Sequence, residues 1–170
     1  MENKETKIIA EKGKQELFII REFDAPRERV FHAFTDQHTL EQFFAPFGNT
    51  MHFNHFDYRT NGSYSWCNKD PKGKIRCTFA GVVHEVHAPD RIIQTSEFME
   101  LPERGHPVME RMDFEPLPGN RTKLIIHDVC LSVADRDAMI DSGMEHGLID
   151  IFNQLDVILS RSYIESNDVT

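Results

Sequence analysis

Between Met51 and Leu131 the chain repeats one pattern six times. Runs with apolar residues at every second position lie near 51–59, 63–68, 74–87, 91–99, 107–115 and 121–131. Turn-forming residues separate most of them, at Asn61-Gly62, Asp70-Pro71-Lys72-Gly73, Pro89-Asp90 and Pro118-Gly119-Asn120. Connections this short join antiparallel neighbours, so the segment predicts a meander. The period then changes. Ser132-Val133-Ala134-Asp135 opens a helix like a capping box with Asp in place of Glu. Ile140, Met144, Leu148, Ile151, Leu155, Ile158 and Leu159 follow at steps of mostly three and four, the apolar face of one long helix. A sheet with one apolar face followed by a helix with one apolar stripe must bury each against the other.

The residues before the meander complete an α+β pattern. Leu17-Phe18-Ile19-Ile20 reads as a first strand within 16–23. Asp24-Ala25-Pro26 predicts a helix start, with Asp24 as the cap, and Val30, Phe31 and Phe34 give that short helix an apolar stripe. A second short helix is expected from about Asp36 to Phe44, stopped by Pro46 and Gly48. The expected domain layout is a flexible segment over 1–14, one domain over 15–163 and a tail over 164–170. Gly81, inside the longest strand, predicts a bulge or bend that curls the sheet. A curved seven-stranded sheet cannot close tightly on one helix, so a cavity between them is expected.

Composition narrows the chemistry. The 170 residues carry 28 acidic and 19 basic side chains, a net charge of -9, which disfavours nucleic-acid backbones and anionic membrane surfaces as partners. The last 40 residues hold 8 of the acidic and 2 of the basic residues, so much of the acidity is the solvent side of the long helix. No apolar run is long enough to insert in a bilayer and the first residues lack the apolar core of an export signal, so a cytoplasmic location is expected. Cys67, Cys77 and Cys130 are widely spaced and read as reduced thiols. The nine His form no ligand set by spacing: His52 with His55, and His84 with His87, point to opposite strand faces. No nucleophile elbow or glycine-rich phosphate loop occurs, and no metal or cofactor is expected.

Several local motifs resemble a known family. Phe23-Asp24-Ala25-Pro26-Arg27-Glu28-Arg29-Val30-Phe31 is similar to its strand-to-helix junction, and Leu40-Glu41-Gln42-Phe43-Phe44-Ala45-Pro46 to its L-x-x-W-W-x-P. Asp57-Tyr58-Arg59-Thr60-Asn61-Gly62 resembles D-x-R-x-G-G. Gly81-Val82-Val83-His84-Glu85-Val86 and Pro89-Asp90-Arg91-Ile92-Ile93 resemble two further strand motifs, and Gly143 to Leu148 stand where a G-W pair is common. In this order the motifs resemble the helix-grip superfamily of birch-pollen allergens, lipid-transfer domains and polyketide cyclases. Within it the chain most resembles the branch named after the C-terminal domain of the heat-shock-protein-90 ATPase activator. The resemblance spans about 16 to 162. It implies a curved antiparallel sheet gripping a long C-terminal helix, with two short helices after the first strand. Phe43 and Phe44 replace a Trp pair, Asn61 a Gly and Leu148 a Trp, so no relative's ligand carries over.

Two carboxylates fall on apolar strand faces: Glu110 among Val108, Met112 and Phe114, and Asp128 among Leu124, Ile126 and Cys130. A buried carboxylate needs a partner, and Arg76 or Arg111 could serve if a bulge changed the parity. The helix glycines Gly143 and Gly147 suggest close packing against the sheet, or room beneath the helix. The candidate pocket comprises Phe43, Phe44, Tyr64, Trp66, Phe79, Glu110, Met112, Phe114, Asp128, Met144 and Leu148. The function expected from these is binding of a small hydrophobic or amphipathic molecule without obligatory catalysis. The family name adds a chaperone-interacting module as an alternative. The two carboxylates add a cyclase- or hydrolase-type acid–base enzyme.

Overall fold

The computed structural model describes the backbone of residues 5–165 and side chains as far as Arg161; the C-terminal tail expected from 164 lies, from residue 166, outside the described residues. In chain order the elements are β1 (Lys7–Ile9), β2 (Glu16–Phe23), α1 (Arg27–Ala33), α2 (Gln37–Phe43), β3 (Thr50–Asp57), β4 (Ser63–Lys69), β5 (Ile75–His87), β6 (Arg91–Phe98), β7 (Val108–Leu117), β8 (Arg121–Val129), α3 (Val133–Asp141) and α4 (Met144–Glu165). The strands form one antiparallel sheet in the order β1-β2-β8-β7-β6-β5-β4-β3. The meander expected from Met51 onward is present as β3 to β8. The α+β class and the helix-grip arrangement hold.

Three features differ from expectation. The sheet has eight strands rather than seven, because Lys7–Ile9 pairs with Phe18–Ile20 on the open side of β2. The helix start differs too. Pro26 occupies the cap position of α1 without a side-chain bond, while Asp24 pairs with Arg121 of β8 at 3.2 Å. A proline at a helix entrance costs no hydrogen bond, because its missing N–H would have had no partner in the helix. Finally, the C-terminal helix is two helices. Gly143 adopts φ +83° and ends the α3 turn, in a region open to glycine. An added Cβ there meets nothing within 4 Å, and at Gly147 it would lie 3.7 Å from the Pro46 side chain. Gly143 is thus needed for its backbone angle, and Gly147 faces the α2–β3 connection rather than the sheet.

The expected cap at Ser132 is present: its hydroxyl accepts from the Asp135 N–H at 3.0 Å. Asp36 likewise caps α2, accepting from the Thr39 N–H at 2.9 Å.

Gly81 sits on β5 opposite Tyr64, and the β5 irregularity falls between Val83 and Glu85 rather than at the glycine. A Cβ at Gly81 would come within 2.7 Å of the Tyr64 hydroxyl oxygen and closer still to the Thr95 carbonyl. The glycine therefore makes room for the Tyr64 ring, whose hydroxyl crosses β5 and donates to Thr95 O at 2.8 Å. The core lies on the concave face, where Leu17, Ile19, Phe23, Ile92, Phe114 and Leu124 of the sheet meet Phe152 and Leu155 of α4. Arg21, buried in the same face, holds α4 by donating to Asn153 Oδ1 at 2.9 Å and Asp156 Oδ2 at 2.7 Å.

Candidate functional site

The concave face carries one polar row in an apolar field. On β6, β7 and β8 the inward positions alternate as Ile92, Gln94, Ser96 and Phe98; as Val108, Glu110, Met112 and Phe114; and as Thr122, Leu124, Ile126 and Asp128. Strand register sets Gln94 opposite Glu110 and Glu110 opposite Asp128. Three polar side chains on successive strands thus form a line across the sheet, continued by apolar Val83 and Leu17.

Hydrogen bonds run along the row in one direction. The Tyr58 hydroxyl, in the turn after β3, donates to Gln94 Oε1 at 2.6 Å. Gln94 Nε2 donates to Glu110 Oε1 at 2.6 Å. Asp128 is 4% exposed, and among the described residues nothing donates to its Oδ1. Such an orphaned buried acceptor is uncommon, since most buried polar atoms have a partner.

Burial raises both carboxyl groups above their ordinary values. For Glu110 the bond from Gln94 opposes the shift; for Asp128 the facing Glu110 raises it further. Burial also pushes the Tyr58 and Tyr64 hydroxyls upward, and Glu110 adds to both. The Cys130 thiol, near Asp128, is raised to about 11, chiefly by burial. The cations suggested as partners are engaged elsewhere: Arg111 donates to Asp113 Oδ2 at 2.7 Å and Arg76 lies 3.9 Å from Asp70.

An aromatic wall adjoins the row on the β4–β6 side. Trp66 stacks on Phe79 with ring centroids 4.6 Å apart, Phe79 meets Phe98 at 5.4 Å, and Phe44 meets the Trp66 ring edge-on at 5.6 Å. All four keep accessible surface, as do Ile140 of α3 and Met144 and Leu148 of α4. Glu110 and Tyr58 also keep some, although their ionisation is governed by desolvation. At these partly exposed side chains of the sheet, α3 and α4 the inner face is less completely covered than around Phe23 and Phe152.

The sequence-derived residues divide accordingly. Phe44, Trp66, Phe79, Met144 and Leu148 lie along the accessible wall, while Tyr64, Glu110 and Asp128 belong to or flank the polar row. Phe43, Met112 and Phe114 are fully packed: Phe43 meets Phe34 at 5.7 Å, and Phe114 meets Phe31 at 5.1 Å beneath α1. Gln94, Tyr58 and Phe98 were missing from the sequence-derived set. Alternation on β6 contains the signal for Gln94 and Phe98, but Tyr58 lies in a turn where alternation says nothing. A surface groove of about 390 Å³ between α2 and α4, lined by Gln42, Phe47, Gln154 and Val157 among others, contains none of these residues. Among the described residues no three metal-ligating side chains cluster, and no helix is long and apolar enough to cross a membrane.

Comparison with known proteins adds the following. The family described as "Activator of Hsp90 ATPase homolog 1-like protein" matches residues 24–160. A solved structure from Arthrobacter aurescens is similar with a TM-score of 0.80 at 23% identity, covering 91% of each chain. One from Rhodobacter sphaeroides has a TM-score of 0.81 at 23% identity, covering 92% of this chain and 99% of its own. The AHSA1 protein from Silicibacter pomeroyi has a TM-score of 0.69 at 21% identity, covering 86% and 99%. At these identities the likeness concerns the fold. No curated protein matches.

Proposed function

The chain belongs to the activator of Hsp90 ATPase homolog 1-like family, and on that premise we propose that it binds a small amphipathic molecule in the cleft between the sheet and the start of α4. The apolar body of the ligand lies along Phe44, Trp66, Phe79 and Phe98, beneath Met144 and Leu148. Its polar end reaches Glu110 and Asp128. The observation that carries this reading is Asp128: a carboxyl group 4% exposed, with an oxygen that no described group serves, on the same sheet face as an aromatic wall that retains accessible surface. Apolar walls with a few convergent polar groups are the usual construction of small-molecule sites.

Native and denaturing mass spectra of freshly purified protein test it, followed by titration with apolar probes monitored through Trp66, the single tryptophan. A stoichiometric organic adduct, or a saturable change in Trp66 emission that competing probe reverses, is expected. Absence of both overturns the reading.

The facing of Glu110 and Asp128 in register favours a second reading, general acid–base catalysis on the bound molecule. Chemical change of the extracted ligand on incubation with protein, abolished by Glu110→Gln, is the outcome that distinguishes it from carriage.

A further inference from the structure

The polar row has a direction, and that direction selects a ligand. Tyr58 gives its proton to Gln94, and Gln94 gives its amide proton to Glu110. Tyr64, the other hydroxyl beside the row, gives its proton to the Thr95 carbonyl. These donors are turned toward protein acceptors, so the row ends in acceptors: the carboxyl of Glu110 and the unserved Oδ1 of Asp128.

Charge points the same way. Glu110 and Asp128 face one another across adjacent strands, which places their Cβ atoms about 5 Å apart. Two carboxylates at that separation repel, and an interior of low dielectric magnifies the repulsion. Among the described residues, the groups around the pair are Gln94 and Ser96 of β6, Tyr64 of β4, Tyr58 of the β3–β4 turn and Cys130 after β8. Among the described residues, no lysine, arginine or histidine forms an ion pair with either carboxyl; the cations suggested for them pair with Asp113 and Asp70. The nearest buried guanidiniums are committed: Arg21 to Asn153 and Asp156, and Arg136 to the Glu11 carbonyl and Asp137.

We infer that the ligand is an organic cation, a primary or secondary amine on an apolar body, with its ammonium group placed between Glu110 and Asp128. An ammonium donates to both carboxyls and makes their ionisation favourable, so that on binding the proton held by burial leaves to solvent and the positive charge takes its place. Its hydrocarbon or aromatic body meets the Trp66–Phe79–Phe98 wall, where a ring face adds attraction for a cation near it. The net charge of -9 raises the concentration of cations near the protein. A carboxylate ligand of the same shape brings neither donors nor positive charge to the row, and meets like charge once either carboxyl ionises. An alcohol supplies a single donor and no charge.

This inference rests on the cleft reading above, and three matched probes separate the two. Binding of 4-phenylbutylamine, 4-phenylbutan-1-ol and 4-phenylbutyrate to the wild-type protein is measured by Trp66 fluorescence and by saturation-transfer NMR. The amine is expected to bind about tenfold more tightly than the alcohol, or better, with the carboxylate weakest. Glu110→Gln and Asp128→Asn are each expected to bring the amine down toward the alcohol while leaving the alcohol unchanged. If the alcohol or the carboxylate binds as tightly as the amine, the cation assignment fails and the cleft reading stands. If none of the three binds, both fail. The wild-type ranking decides the matter even if a variant does not fold.

Discussion

The half of the inner face built on β2 and β8 and the half built on β4 to β6 use the same alternation of side chains and end in different states. On the first, Leu17, Ile19, Phe23 and Leu124 are at most 2% exposed and pack against Phe152 and Leu155, which are fully buried. On the second, Trp66, Phe79 and Phe98 keep accessible surface, as do Met144 and Leu148 of α4. The same helix covers both. Its C-terminal half is held by Arg21, and by Arg29 donating to Leu159 O at 2.8 Å, so close packing is enforced there. Its first turns follow the Gly143 break, and Met144 and Leu148 there are only partly buried. Glu110 and Asp128 lie between the two regimes. Stability is concentrated where packing is complete, and the proposed binding site falls where it is not.

Truncation on each side should break this symmetry most visibly. Phe152→Ala, in the closed half, removes a ring packed edge-on to Phe23 at 5.8 Å and should cost about 3–5 kcal/mol in chemical denaturation. Leu148→Ala, in the open half, should cost less than half as much, because its site is not filled. Equal losses would show the two halves to be packed alike.

Filling the open half is the complementary experiment. Leu148→Trp should fold with a melting temperature within a few degrees of the wild type and lose about tenfold or more in affinity for the amine probe, read by NMR. Unchanged affinity in the folded variant would place the ligand elsewhere.

The acidic row should be visible in the pH dependence of stability. As pH rises past about 4, Asp128 ionises in the unfolded chain, while burial and Glu110 keep it protonated in the folded one. The unfolded state then binds fewer protons, and stability falls as pH rises toward the folded value. Asp128→Asn removes that slope. The variant should be more stable than wild type by about 1 kcal/mol near pH 8, and the advantage should vanish near pH 4 in urea denaturation.

The smallest effect belongs to the rim, with the opposite sign. The Arg104 guanidinium and the Gly105 and His106 N–H groups lower Glu97 to about 2. Its stabilisation is present above about 4.5 and is lost as pH falls toward 2. Glu97→Gln should cost at most about 1 kcal/mol at pH 7, because Arg104 is largely exposed, and nothing near pH 2.

Legibility from sequence followed the range of the interactions. The strands from Met51 onward were readable because turns and alternation are local signals. β1 was missed because three residues, Lys7-Ile8-Ile9, carry no period of their own and owe their strand to Phe18–Ile20. At Gly143 the sequence offers a kink, but the apolar stripe runs through it, so the stripe alone reads as one long helix where the chain forms two. With the break in place, Asp137 and Asp141 are exposed on α3. The cap at Asp24 was misjudged because its carboxylate is drawn away by Arg121 from β8, nearly a hundred residues later. Glu110 and Asp128 could be assigned to the inner face by parity alone. That they face each other, and that Gln94 and Tyr58 serve one and not the other, depends on register and on a turn that no periodicity encodes.

The pinning of α4 at Asn153 and Asp156 gives the helix the mechanics of a lever with its fulcrum at Arg21. From Asn153 to Met144 the arm is nine residues, about 14 Å at 1.5 Å per residue. A tilt of about 5° about that point lifts the free end by about 1 Å, while Phe152 and Leu155, beside the pivot, hardly move. The Gly143 joint frees that end from the axis of α3. Small angular motion at the secured core thus becomes displacement at Met144, and the start of α4 can shift without loosening the packing that keeps the protein folded.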